Sequence, residues 1–136
     1  MTRCTDKSGA IAAAQTGPAS GLDPLVTNPL RSGKGDLWQR LIVIYAKTAP
    51  EAMTKLEQAL ALGDAAAVSL TAHSLKSSSA NMGAARLAYL LYQIETMARN
   101  AQIETAQDLM IEIRSEFRLI SVALASEAHG VARASA

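Results

Sequence analysis

From Asp36 onward, apolar side chains return every third or fourth residue, the period of a helix with one buried face. No segment alternates apolar and polar residues as a half-buried strand does. Leu37, Leu41, Ile44, Thr48, Ala52, Leu56 and Leu60 predict a long helix whose phase survives Pro50. It is either one kinked helix or two end to end, with Thr48 placed to cap the second part and Glu51 in its first turn. Gly63 ends this stretch and Asp64 opens the next. Over 65–81, Val68, Ala72, Leu75, Ser79 and Met82 share one face. Gly83 is suited to a left-handed helix end and a tight reversal. Over 85–99, Leu87, Leu90, Leu91, Ile94 and Met97 point inward, and the serines Ser78 and Ser79 are expected to face this neighbouring helix. A last helix, from about Glu104 to Ala128, aligns Ala106, Leu109, Met110, Ile113, Phe117, Ile120 and Leu124.

Asp23 before Pro24 reads as an N-cap followed by proline at the first helical position, starting a short helix through about Leu30 that `RSGKG` breaks. Residues 1–21 are small and polar and are expected to form a tail or linker. The domain is expected to span 22–128, with a second flexible tail over 129–136. Short links between long amphipathic helices force antiparallel neighbours. The predicted fold is all-α, an antiparallel up-down-up-down four-helix bundle with a short extra N-terminal helix.

At 136 residues, there is room for one domain. About half the residues are apolar, yet with one Phe and one Trp the packing falls to Ala and Leu, which suits closely approaching helices. Trp38 is expected to pack at the end of the bundle. Thirteen basic against twelve acidic residues leave a formal charge of +1, scattered without the basic run that nucleic acid or a membrane surface calls for. The lone Cys4 has no internal disulfide partner, which points to a reducing compartment. No stretch is long and apolar enough for a membrane span, and `GAIAAAQ` is too short and weakly apolar for a signal-peptide core. A soluble cytoplasmic protein, or a cytoplasmic piece of a larger one, is expected.

Helix 65–81 carries a second stripe, offset from the apolar one: Ser69, His73, Lys76, Ser77 and Ala80. His73 is therefore expected to point away from the core, flanked by small side chains and one cation. A histidine on a helix is more often a solvated side chain than a reactive one, and small residues also occur wherever helices pack closely. The combination is what singles out this stripe.

The run `AHSLKSSSANMGAARLAYL` resembles the signature of histidine-containing phosphotransfer (HPt) domains, H-x-L-K-G-S-[SA]-x-x-x-G. His73, Leu75, Lys76, Ser78, Ser79, Gly83 and Ala84 match without a gap, and the resemblance extends over about residues 22–127. One position departs from it: Ser77 stands where the family has glycine, whose missing side chain lets a partner approach the histidine. A serine is small enough to be tolerated there, with an effect on rate or partner choice.

The resemblance implies that His73 accepts a phosphoryl group from a receiver-domain aspartate and passes it to another receiver. Neutral imidazole is a competent nucleophile near pH 7. Phosphoryl transfer needs mainly positioning and charge neutralisation, which Lys76, one turn along, can supply. Ser69, Ser77, Ala80 and Arg99 are candidate partner-binding residues. Arg99 also matches a basic position that shapes the histidine site in some family members, although a cation at a helix C-terminus is the plainer reading. The implied partners are receiver domains of response regulators or hybrid histidine kinases, docking on the His73 face and on the short helix near Leu25, Val26 and Leu30. No nucleic acid, membrane or metal is expected, and a monomer is the family expectation. No cofactor is expected in this chain; the receiver would bring Mg²⁺ and the acidic pocket. With no phosphate-binding glycine loop for ATP, the chain reads as a carrier and not as a kinase.

The alternative is a helical adaptor that binds receivers without passing phosphate, although such an adaptor needs neither His73 nor Lys76. Two enzyme readings fail. Ser74 and Lys76 point about 200° apart on a helix, so they cannot form a hydrolytic pair. His73 and His129 lack the further ligands and the spacing of a metal site.

Overall fold

The structure, a computed structural model, describes residues 17–33 and 35–135, with side chains as far as residue 128. Cys4 and the expected tail up to residue 16 lie outside the described residues, as does the side chain of His129. The described chain forms five helices: α1 (Pro24–Ser32), α2 (Leu37–Leu62), α3 (Ala65–Asn81), α4 (Ala85–Arg99) and α5 (Ile103–Ser135). Consecutive members of α2–α5 pack against each other, and α2 closes the ring against α5. This is the expected all-α bundle, and α3 and α4 form its most extensive contact.

Each reversal has a local cause. Gly63 adopts φ +68° at the end of α2, and Asp64 then accepts a hydrogen bond from the Ala67 amide to start α3. After α3, Gly83 takes φ +82°, and its carbonyl accepts from the Asp23 amide at 2.8 Å. A Cβ on Gly83 would stand 2.9 Å from the Thr27 methyl and 3.3 Å from Val26, so glycine is what lets α1 lie across the α3–α4 turn. Asp23 caps α1 through the Leu25 amide, as the Asp-Pro pair predicts.

The core is mostly aliphatic. Val68, Ala72, Leu75, Ser79 and Met82 are buried along α3, and Leu87, Leu90, Leu91 and Ile94 along α4. In α5, all the expected positions are buried except Phe117, which packs partly buried against the cluster. The first half of α2 differs from expectation. Trp38, Ile42, Tyr45, Ala49 and Met53 face inward, while Leu37 and Ile44 are 54% and 56% exposed. Two aromatic rings decide this phase, because each removes more area from water than a leucine and its polar tip finds a partner inside. The Trp38 indole N–H donates to Glu127 at 3.1 Å, and the Tyr45 hydroxyl pairs with that of Ser79 at 2.8 Å. Helix α2 runs unbroken through Pro50, which lies on the exposed side, where water can satisfy the carbonyl it leaves without a donor. Thr48 caps nothing: its hydroxyl donates back to the Ile44 carbonyl.

The two ends also depart from the expected boundaries. Residues 17–21 lie against the bundle, where buried Glu116 accepts from the Ser20 hydroxyl and the Gly21 amide. At the other end α5 continues to Ser135, past Ala128, since no proline interrupts an alanine-rich stretch. Among the described residues, no helix is long and apolar enough to cross a membrane.

Candidate functional site: a histidine anchored by a buried carboxylate

The α3 stripe is exposed at His73, Ser77 and Ala80 and half-buried at Ser69 and Lys76. His73 keeps 57% of its side chain open to solvent, while Val68, Ala72 and Leu75 on the adjacent stripe are sealed against α4. Beside the ring lies an open groove between the start of α3 and the end of α4, lined by Ala65, Ala66, Ser69, Leu70, His73, Glu95, Ala98 and Arg99. Small residues on both helices make this space; larger ones would fill it.

Glu95 organises the site. Its side chain is only 1% exposed, in register with Leu91, Ile94 and Ala98 on the buried face of α4. One carboxylate oxygen, Oε2, lies 3.0 Å from His73 Nδ1 and also accepts from the Arg99 guanidinium. The other, Oε1, accepts from Lys76 Nζ at 3.0 Å. Burial pushes the Glu95 carboxyl up, but the Lys76 and His73 hydrogen bonds and the charges of Lys76 and Arg99 outweigh it, holding the group below its ordinary value.

An ionised carboxylate can only accept, so the proton between it and the imidazole belongs to Nδ1. In the neutral ring, the lone pair is then on Nε2, the other ring nitrogen of this half-exposed side chain. A carboxylate that fixes the histidine tautomer and stabilises positive charge on the ring is a recurring device in nucleophilic sites. The site also holds two cations for one buried anion, so positive charge remains for an incoming anionic group.

The stripe divides around this anchor. Ser69, His73, Lys76 and Arg99 gather at Glu95 or its groove, whereas Ser77 and Ala80 lie exposed on the far side of His73. The Ser77 hydroxyl donates to the His73 carbonyl at 3.2 Å, so it is turned onto its own helix. Ser78 does the same to the Leu75 carbonyl, and Ser79 reaches across to Tyr45 on α2. On α1, Leu25 is fully presented at 85% exposure, but Val26 packs over Gly83 and Leu30 against the core, which leaves less apolar surface there than the sequence suggests.

The helix expected over 85–99 contains Glu95, to which the sequence alone assigns no role. The available signal is its register: a carboxylate four residues after Leu91 and three before Ala98 stands in the apolar stripe. A charge at a core position is retained only with partners. Which partners, only the α3–α4 packing reveals.

Comparison with known proteins identifies the family. The Hpt domain family model matches residues 40–133. The crystal structure of histidine-containing phosphotransfer protein B from Pseudomonas aeruginosa superposes with a TM-score of 0.76 at 31% identity, covering 79% of this chain and 94% of that one. No curated protein sequence matches significantly. The chain belongs to the Hpt domain family, the histidine phosphotransfer proteins of phosphorelay signalling. Members of this family are phosphocarriers that work with receiver domains.

Proposed function

We propose that His73 carries the phosphoryl group, taking it from a receiver-domain aspartate and passing it to another receiver. The observation that supports this most directly is the Nδ1–Glu95 hydrogen bond on a ring that is otherwise more than half exposed. The Nε2 lone pair attacks phosphorus; an N–P bond forms as the aspartyl O–P bond breaks, and aspartate leaves as a carboxylate. The ring gains positive charge, which Glu95 stabilises through the Nδ1 proton. In the return step an aspartate oxygen attacks phosphorus, and the N–P electron pair goes back to Nε2. Lys76 neutralises the phosphoryl oxygens in both directions.

The receiver supplies Mg²⁺ and the acidic pocket; this chain needs no nucleotide and works as a carrier without ATP-dependent kinase activity. The receiver docks over the His73 groove, touching Ser69, Ser77, Ala80 and Arg99. Arg99 adds an exposed positive charge facing the partner's acidic pocket, which favours a transient, salt-sensitive complex. The carrier works as a monomer in the cytoplasm and does not bind nucleic acid; a bundle that closes its own core and a nearly balanced charge support this.

The test is transfer from a labelled, phosphorylated receiver to wild type and to His73→Gln. Label on the wild type alone, lost in acid and kept in base, is the expected result. Binding of several receivers with no label on His73 would replace the carrier by a phosphate-independent adaptor.

A further inference from the structure

The Lys76 ammonium stands 5.2 Å from the centroid of the Tyr92 ring, within the range of a cation–π contact. Tyr92 and Glu95 are three residues apart on α4, and His73 and Lys76 are three apart on α3, so each pair shares a helix face. Across the helix contact they interlock: His73 on one oxygen of Glu95, Lys76 on the other, and Tyr92 beside the ammonium. Tyr92 lies outside the core and is 48% exposed, so filling the interior does not account for it.

We propose that Tyr92 is a positioning residue for phosphoryl transfer, its ring holding the Lys76 ammonium against Glu95 so that the remaining N–H is directed to the phosphoryl oxygens. This rests on the carrier function of His73. A lysine ends a flexible four-carbon stem and has three N–H donors. Glu95 takes one, and the electron-rich ring face attracts the ammonium from a second side, leaving one donor for the anion. Only 25% of the Lys76 side chain is exposed. Without the ring, Lys76 is tied at a single point and swings about Glu95. The ring acts through its face, so its hydroxyl is dispensable, and no bond is made or broken at Tyr92.

The experiment measures initial rates of transfer from a phosphorylated receiver to wild type, Tyr92→Phe, Tyr92→Leu and Tyr92→Ala, each also combined with Lys76→Ala. Leucine keeps an apolar cover but lacks the ring face. Alanine and leucine are expected to slow transfer about twofold to fivefold, the size of an exposed cation–π contact expressed as a rate. Phenylalanine is expected to stay within about twofold of wild type by the same reasoning. In the Lys76→Ala background the Tyr92 changes are expected to have no further effect. An NMR readout independent of phosphate is the ring-current shift of the Lys76 methylene protons, present with tyrosine or phenylalanine and lost with alanine or leucine. Transfer to Tyr92→Ala at the wild-type rate overturns the inference. So does a loss that persists undiminished without Lys76, which would make Tyr92 a docking contact. Failure of wild type itself to accept phosphate overturns the carrier function, and this inference with it.

Discussion

His73 Nδ1 and Glu95 Oε2 lie 3.0 Å apart, on neighbouring helices and 22 positions apart in the chain, joining an exposed imidazole to a carboxylate buried among leucines. Replacing Glu95 by Gln keeps the shape and removes the charge. An amide oxygen cannot serve His73, Lys76 and Arg99 together, and its NH₂ repels one of their donors. A hydrogen bond to a charged group contributes about 1.5–3 kcal/mol. Phosphoryl transfer should therefore fall about tenfold to a hundredfold if that contribution is realised at the transition state. The fold should survive, because Lys76 and Arg99 can turn to water. Rates and thermal melts of the same preparation check both halves; a large fall in Tm with unchanged transfer would reverse the assignment.

Acid should loosen the bundle through two carboxylates. Glu127 is held below its ordinary value, chiefly by the Arg31 hydrogen bond, against burial and with help from the Trp38 N–H. Glu95 is likewise depressed. Groups with lowered folded pKa values stabilise fully above the unfolded value, about 4.3 for glutamate, and lose that contribution as pH falls through the folded values. The Tm should be level from neutral pH down to about pH 5 and decline below it. Glu127→Gln should flatten part of that decline, and Trp38, the one tryptophan, should report it by fluorescence.

Alkali acts on a different group. Burial pushes the Tyr45 hydroxyl up to about 12, against the Ser79 hydrogen bond, which lowers it. A raised folded pKa means stability is intact below the unfolded value near 10 and is lost as pH rises towards 12. The loss should total roughly 2–3 kcal/mol. Tyr45→Phe should remove this dependence while costing about 1 kcal/mol at neutral pH for the unpaired Ser79 hydroxyl. Denaturant titrations at pH 8 and pH 11 separate the two effects.

Two turns should respond to substitution with opposite signs. Gly83→Ala forces a side chain into a left-handed φ and against Thr27, and should destabilise by at least about 1–2 kcal/mol while lifting α1. Ala101 already has φ +58°, so Ala101→Gly should stabilise by up to about 1 kcal/mol. Paired thermal melts should show a fall of several degrees for the first and a smaller rise for the second.

Ser77→Gly should speed transfer and lower stability together. The change clears the approach to His73 and removes a hydroxyl bonded to its carbonyl, while glycine inside a helix costs roughly 0.5–1 kcal/mol. Slower transfer would show that the serine contacts the partner productively.

Much of this protein is determined by sequence alone, because local rules carry it. Helical periodicity, Asp64 and Asp23 at helix starts, Gly63 as a helix end and Gly83 as a left-handed one act over a few residues, and each stands where the sequence puts it. The stripe that presents His73, with Lys76 half-buried one turn along, follows from 100° per residue beside the apolar face. What depends on pairing distant segments was decided by the tertiary structure. Leu37 and Ile44 compete with Trp38 and Tyr45 for the inside of α2, and the aromatics win through Glu127 and Ser79, partners far away in the chain. Likewise, Arg99 is within i,i+4 reach of Glu95 on its own helix, but nothing near Glu95 in sequence reveals that its two oxygens also serve His73 and Lys76. A buried charge is stable only where its counter-charges converge, and that convergence exists only once α3 lies against α4.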